Sequence, residues 1–301
     1  MVGIVSHDAG GAEILSSWAL RAQEPYCLVL DGPAIGIFQR KLGKCVSVEL
    51  DKLIEQSDWL LCGTSWASDL ERRAIRHAHC AGKKVVAYLD HWVNYKERFQ
   101  SDGDGDALPD EIWVGDDYAY DIAVKRIPEV PVRLQVNPYI EDLQQRITSL
   151  TPRGFDSGSD FADVLYVCEP IREHALLQHG NERHWGYTEE DALRYFLNHI
   201  HLLGIEDPQV KVRLHPSEKK GKYDWVPQGT QVRVSISEEP DLLTDIMSAN
   251  VVVGCTSMAM FVGVLAGKRV VSVIPPGGES CSIPYREIEH MQALVSRSEL
   301  G

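Results

Sequence analysis

Short apolar runs alternate with longer amphipathic stretches along most of this chain. In the first half, β-branched and aromatic runs predict strands at residues 2–6, 26–30, 45–48, 59–62, 85–89 and 112–114. Apolar positions spaced three and four apart predict helices between them, at 12–22, 35–42, 51–55, 68–80 and 118–125. Ser68 followed three residues later by Glu71 reads as a capping box that opens the fourth helix. A helical stretch over 139–150 ends in two breaker clusters, Thr151-Pro152-Arg153-Gly154 and Asp156-Ser157-Gly158-Ser159-Asp160. The alternation then resumes, with strands at 164–168, 209–214, 231–235, 251–253 and 270–274 and helices at 189–203, 241–248 and 258–266. Strands alternating with helices predict a parallel, doubly wound sheet. Two such series predict an α/β protein of two Rossmann-like domains facing across a cleft, 1–138 and 161–301, joined by the linker 139–160.

The bulk numbers narrow the function classes. At 301 residues the chain can bury two cores of ordinary size. Its 30 basic against 44 acidic residues give a net charge of −14, which argues against nucleic acid as a partner and against broad attraction to anionic lipid. No apolar run approaches the roughly 20 residues of a membrane span, so no transmembrane segment is expected; peripheral membrane contact stays open. Met1 leads directly into Val2-Gly3-Ile4-Val5 without a basic, cleavable leader, and a cytoplasmic location is expected. None of the seven cysteines lies in a C-x-x-C pair, and Cys27, Cys62 and Cys168 sit in apolar runs, so neither disulfides nor a cysteine-bound metal is expected. The stretch Asp102-Gly103-Asp104-Gly105-Asp106 begins like a calcium loop but has Ala107 and Trp113 where glycine and glutamate are needed; it reads as a solvated loop.

Candidate chemistry gathers where predicted strands end, because loops at the carboxyl edge of an open α/β sheet form its ligand crevice. The first strand runs into Ser6-His7-Asp8-Ala9-Gly10-Gly11. Gly10 and Gly11 form a glycine loop that lets backbone approach a ligand, with Asp8 or His7 as a general base. Asp90, in Tyr88-Leu89-Asp90-His91-Trp92, is another candidate base, with Trp92 placed to stack on a sugar or nucleobase. Thr64-Ser65-Trp66 is a weaker pointer and reads as structural. In the second half, Glu169 is a candidate acceptor for ribose or base, and Arg172 a bidentate phosphate ligand. Arg213-Leu214-His215-Pro216 offers a guanidinium and an imidazole to the same phosphate. Thr256 and Ser257, opening the helix at 258, add hydroxyls and free backbone N–H groups.

Arg213-Leu214-His215-Pro216 together with Cys255-Thr256-Ser257 resembles the His-Pro and Ser/Thr-Ser motifs of bacterial sialyltransferases. The pair also looks like polysialyltransferases, capsule Kdo transferases and, more distantly, teichoic acid glycerophosphotransferases. Asp31-Gly32 matches part of the sialyltransferases' acidic-acidic-glycine motif, with Leu30 in its first position. The resemblance implies a GT-B-type fold and a cytidine-nucleotide donor. It implies that His215 binds or protonates the donor phosphate, that Thr256 and Ser257 hold it, and that an acidic residue of the N-terminal half, Asp8 or Asp90, acts as base.

These readings converge on a glycosyltransferase that moves a sugar from a nucleotide-activated donor, CMP-sugar favoured, to a surface polysaccharide or glycolipid. Asp8, His7, Asp90 and His215 are the catalytic candidates. Glu169, Arg172, Arg213, His215, Thr256 and Ser257 are the donor ligands. No D-x-D is well placed, so no metal or other cofactor is expected. A nucleotide-sugar 2-epimerase or hydrolase, and a non-catalytic sugar or nucleotide binder, are the alternatives.

Overall fold

The computed structural model describes residues 1–65, 68–100, 105–150, 162–228 and 230–300. The chain folds as two compact units, Met1–Asp142 and Leu143–Gly301, and the division falls inside a helix. Trp66, residues 101–104 of the acidic loop and both breaker clusters lie outside the described residues.

In the first unit six strands, β1 (Val2–Ser6), β2 (Tyr26–Leu30), β3 (Trp59–Cys62), β4 (Lys84–Tyr88), β5 (Glu111–Val114) and β6 (Val132–Leu134), form one parallel sheet. Its order is β2-β1-β3-β4-β5-β6. The helices are α1 (Ala9–Arg21), α2 (Pro33–Leu42), α3 (Leu50–Gln56), α4 (Leu70–Cys80), α5 (Asp117–Arg126) and α6 (Pro138–Leu150), the last running across the division. A parallel sheet covered on both faces needs apolar residues on successive positions, and every residue of β1 is buried. Val2, Ile4, Leu61, Val86 and Tyr88 pack with Leu15 and Phe38 in one core.

The second unit repeats the plan with β7 (Ala162–Val167), β8 (Gln209–Arg213), β9 (Arg233–Ile236), β10 (Ala249–Gly254), β11 (Arg269–Ser272) and β12 (Ile288–His290). All are parallel, in the order β12-β11-β10-β7-β8-β9. Its helices are α7 (Ile171–His179), α8 (Glu189–His199), α9 (Leu242–Met247), α10 (Met258–Leu265) and α11 (Met291–Leu300). Val164, Tyr166, Val210, Val212, Val251, Val253 and Phe196 form its core.

Several expected elements differ. Residues 45–48 make only an isolated parallel bridge, Leu28 to Ser47, because Ser47 and its neighbours satisfy the edge of β2 without continuing it. The edge strands β6 and β12 were not expected; each has only three residues, too few to show a periodicity, and a strand exposed on one side carries a weak hydrophobic signal. The helix expected over 189–203 ends at His199 and tightens into a 3-10 turn, Ile200–Leu203, closed by Gly204 at φ +72°. Helix α7 was missed because Leu176 and Leu177 face solvent and blur its amphipathic pattern. The Ser68–Glu71 capping box does not form. Helix α4 starts at Leu70, and Glu71 turns into the interior. Among the described residues no helix is long and apolar enough to cross a membrane.

Candidate functional site

Each sheet has one place where strand order reverses. In the first unit the chain moves from β1 out to β2, then returns to β3 on the other side of β1. In the second it moves from β7 to β8 and β9, then returns to β10 on the other side of β7. At such a reversal the loops leaving neighbouring strands diverge and leave room above their carboxyl ends.

At the first reversal, β1 delivers His7 and Asp8, and β3 delivers Gly63, Thr64 and Ser65. Oδ1 of Asp8 accepts from Nδ1 of His7 at 2.7 Å and from Oγ of Ser65 at 2.7 Å. A carboxylate can only accept, so Nδ1 of His7 carries a proton and the neutral ring presents Nε2 as a base. Oε1 of Glu71 accepts the backbone N–H of His7 at 2.8 Å. Its other oxygen, Oε2, is buried with no partner among the described residues. Burial pushes the Glu71 carboxyl up to about 7, against the pull of the backbone hydrogen bonds. Asp31-Gly32 adjoins this group: Gly32 has φ +53°, and a β-carbon there would lie 2.6 Å from Nε2 of His7. Only glycine both takes that backbone conformation and leaves the imidazole its place.

Asp90 reaches the same locality from β4, but in a different role from the expected base. Its Oδ1 pairs with the buried Arg98 guanidinium at 2.6 Å, and Arg98 also donates to Oγ1 of Thr64 at 2.8 Å. Gly10 and Gly11 are not a ligand loop, since both lie inside α1. A β-carbon on Gly10 would sit 1.9 Å from Oδ2 of Asp90, and one on Gly11 would sit 3.3 Å from Cα of Gly63. The glycines therefore admit the protein's own carboxylate and backbone. Trp92 is buried, its indole N–H donating to Asp116 at 3.0 Å.

At the second reversal, β7 delivers Glu169 beside Cys255, Thr256 and Ser257 at the end of β10. Oε1 of Glu169 accepts the backbone N–H groups of Cys255 at 2.9 Å and Thr256 at 2.8 Å. The amides expected to hold a donor phosphate thus hold this chain's own carboxylate. Burial raises the Glu169 carboxyl to about 7, with those amides and that of Ser257 opposing the rise and Glu218 adding to it. Oγ1 of Thr256 bonds to Oγ of Ser282 at 2.5 Å, and Ser257 caps α10 through Ala259.

His215 follows β8. Its Nδ1 accepts from the backbone N–H of Ser217 at 3.2 Å and lies 2.7 Å from that residue's Oγ. The neutral ring therefore carries its proton on Nε2, which is a donor. Burial holds its pKa below the usual histidine value; Glu218 pulls it upward and His174 adds to the lowering. Its own backbone N–H is held by Oε2 of Glu218 at 2.9 Å. The other oxygen of Glu218 takes Nζ of Lys222 at 2.9 Å and the hydroxyl of Tyr223 at 2.7 Å. Lys222 also meets Glu189 at 2.7 Å and Glu173 at 2.9 Å, and these hydrogen bonds raise its pKa despite desolvation. Glu218 and Lys222 were not anticipated; the only signal was a glutamate three residues beyond His215.

Of the two arginines expected to bind the donor, Arg213 is engaged elsewhere. Arg213 donates to Asp245, 1% exposed, at 2.6 Å and to the carbonyl of Glu239 at 2.6 Å. Its guanidinium closes a structural ion pair under α9. Arg172 opens α7, where its backbone N–H bonds to Glu189; its side chain lies 3.8 Å from Glu190 and 3.9 Å from Glu182, and among the described residues its buried Nε has no hydrogen-bond partner.

No protein-family profile matches the chain, and no curated protein sequence matches it either. Solved structures do. The UDP-GlcNAc 2-epimerase from Methanocaldococcus jannaschii superposes with a TM-score of 0.65 at 11% identity, covering 99% of this chain and 91% of the other. The UDP-GlcNAc 2-epimerase from Neisseria meningitidis, bound to UDP-GlcNAc, gives 0.62 at 11% identity, with 99% and 90% covered. The glycosyltransferase of kitacinnamycin gives 0.54 at 12% identity, with 96% and 85% covered. At these identities the likeness establishes the fold class, two Rossmann-like α/β domains of the GT-B type.

Two outcomes follow from the geometry. Because the folded chain holds a proton on Glu71 up to about pH 7, whereas a free carboxyl releases it near 4.5, stability falls as pH rises through that window. Glu71→Gln keeps the acceptor for His7 and stays neutral, so it should gain about 3 kcal/mol on the wild type between pH 5 and pH 8 in denaturant unfolding. Parallel pH curves for the two proteins would contradict the assignment. Arg213→Met should cost about 3 kcal/mol of stability by stranding Asp245, and leave phosphate binding unchanged in calorimetry; the reverse pattern would restore Arg213 as a donor ligand.

Proposed function

We propose that this chain is a nucleotide-sugar enzyme, and within that class a glycosyltransferase acting on a glycan or glycolipid acceptor. The observation that carries the reading is His215. Its Nδ1 is fixed as an acceptor, so the neutral ring offers Nε2–H as a donor, in the loop that follows β8; β8 pairs with β7, which leads to Glu169 and the α10 amides it holds. A hydrogen-bond donor that brings no full charge, beside a set of backbone amides, suits a phosphate that gains charge as its bond to the sugar breaks.

In this reading the donor phosphate takes the place of the Glu169 carboxylate on the amides of Cys255 and Thr256. Nε2–H of His215 donates to a phosphate oxygen, and Ser257 orders the first turn of α10. Arg172 and Arg213 are left out of the donor set. On the acceptor side, Nε2 of His7 removes the hydroxyl proton, and Asp8 stabilises the imidazolium that results. The acceptor oxygen bonds to the anomeric carbon, and the electron pair of the breaking carbon–oxygen bond leaves with the phosphate. Asp90 supports this group through Arg98 and is not the base. The second unit is thus the donor domain and the first the acceptor domain. Turnover needs no metal in this scheme, and the reading includes a cytoplasmic location. The donor base is the finer point: the motif resemblance favours a CMP-sugar.

A second reading, a nucleotide-sugar 2-epimerase, is favoured by one feature. Glu71 and Glu169 both exchange protons near neutral pH, and proton exchange at a sugar carbon needs such groups. The epimerase from Neisseria meningitidis was solved with UDP-GlcNAc.

A thermal-shift panel of CMP, CDP, UDP, GDP, ADP and dTDP should single out one base, since a ligand that binds only the folded chain raises its melting temperature. His215→Ala should remove the shift. With the preferred donor, a transferase consumes it only when acceptor is present, with or without chelator, whereas an epimerase converts donor alone. No shift with any of the six nucleotides would end the nucleotide-sugar reading.

A further inference from the structure

Both backbone polar groups of His215 are held by a single residue, Glu218. The N–H of Glu218 donates to the His215 carbonyl at 2.9 Å and closes a β-turn with Pro216 in its second position, where proline is favoured. The side chain of the same residue reaches back, and its Oε2 accepts the His215 N–H at 2.9 Å. Within the turn, the Ser217 N–H donates to Nδ1 of the ring at 3.2 Å. The imidazole thus stands in a four-residue frame that holds its main chain at both polar groups and its ring at one nitrogen.

Glu218 is itself anchored. Its side chain is fully buried, and Oε1 accepts from the hydroxyl of Tyr223 at 2.7 Å and from Nζ of Lys222 at 2.9 Å. Tyr223 belongs to the core of the second unit. Lys222 also meets Glu173 of α7 and Oε1 of Glu189 in α8, and the other oxygen of Glu189 accepts the Arg172 N–H at the start of α7. One carboxylate therefore ties the turn that carries His215 to the core and to two helices. Burying a carboxylate is costly unless it is paired, and a turn with proline in its second position forms without one, so the turn itself does not account for Glu218. The two oxygens serve separate donors: the His215 N–H on one, an ammonium and a hydroxyl on the other. A carboxamide offers a single acceptor oxygen, and its NH2 would have to face a donor.

We propose that Glu218 is the positioning residue for His215: it holds the turn in the geometry that fixes Nδ1 as an acceptor and leaves Nε2–H to a ligand, and it acts through the imidazole. Tyr223 and Lys222 belong to the same device, because they set where Oε1 sits and thereby where Oε2 meets the His215 N–H. The hold on the imidazole rests on these hydrogen bonds alone. That the held donor serves the phosphate of a nucleotide sugar rests on the function proposed for the chain.

The test compares the full chain with Glu218→Gln, which keeps the side-chain volume and leaves Lys222 paired with Glu173 and Glu189. In the variant Lys222 and Tyr223 compete with the His215 N–H for the one amide oxygen and take it, because a hydrogen bond from an ammonium is the stronger. By NMR at about pH 8, the His215 and Ser217 amides should exchange with solvent at least tenfold faster than in the wild type, while the amides of β8 keep their protection. The nitrogen signals of the His215 ring, identified by their loss in His215→Ala, should move from a fixed Nε2–H form toward a ring that exchanges between both tautomers. In calorimetry, whichever of the six nucleotides gives the largest thermal shift should bind about tenfold more weakly. In the His215→Ala background, Glu218→Gln should weaken it no further, since the effect passes through the imidazole. Tyr223→Phe, which leaves Oε1 to Lys222, should produce the same changes in smaller degree and carries the test if Glu218→Gln does not fold. Unchanged amide exchange and ring signals, or losses of nucleotide affinity that add in the double variant, would overturn the proposal. Loosened amides and ring in a protein that binds none of the six nucleotides would leave the hold on His215 standing and end the nucleotide-sugar reading.

Discussion

The reversal of strand order in each sheet is the constraint from which the rest of the site follows. Parallel strands send every connection out at the carboxyl edge, and only where neighbouring connections part does that edge stay open. In the first unit this occurs between β1 and β3, and the bond from Ser65 to Asp8 spans it. In the second it occurs between β7 and β10, and Glu169 spans it by accepting the amides that follow β10. Both reversals are thus bridged by a carboxylate, and the two bridges organise the side chains around them.

Electrostatics explain why so few of the expected cations are available. An acidic chain that buries carboxylates must neutralise them, and several basic groups are used in doing so. Arg98 is used by Asp90, Arg213 by Asp245, and Lys222 by Glu173, Glu189 and Glu218. Removing either partner of a buried pair leaves an uncompensated charge, so these pairs fix geometry more than they add stability. What the second reversal offers an anion includes a set of backbone dipoles and the neutral imidazole of His215. Such groups bring no counter-charge of their own, and the Glu169 carboxylate occupies part of the set.

Most of the architecture is written locally in the chain. The apolar runs of β1, β3, β7 and β10 are largely buried, so their composition alone marks them as strands of a covered parallel sheet. Edge strands β6 and β12, and the exposed leucines of α7, lack that signal because water covers part of them. The site was legible only as a set of candidates. His7, Asp8, Glu169, His215, Thr256 and Ser257 all stand at strand ends, which is a one-dimensional property. Their partners Ser65, Glu71 and Glu218 are ordinary polar residues until the fold brings them close.

By itself the sequence determined two α/β units, the inner strands of each sheet, and which residues emerge at the carboxyl edges. Tertiary structure alone decided the strand order, and with it which strand ends are neighbours. It also decided the direction of each proton: His7 presents a base because Asp8 accepts at Nδ1, while His215 presents a donor because the Ser217 amide donates there. The physical reason is range. Hydrophobic periodicity is read within a few residues, whereas a histidine tautomer, a raised carboxyl pKa or a buried ion pair depends on groups that the chain brings together only when it folds.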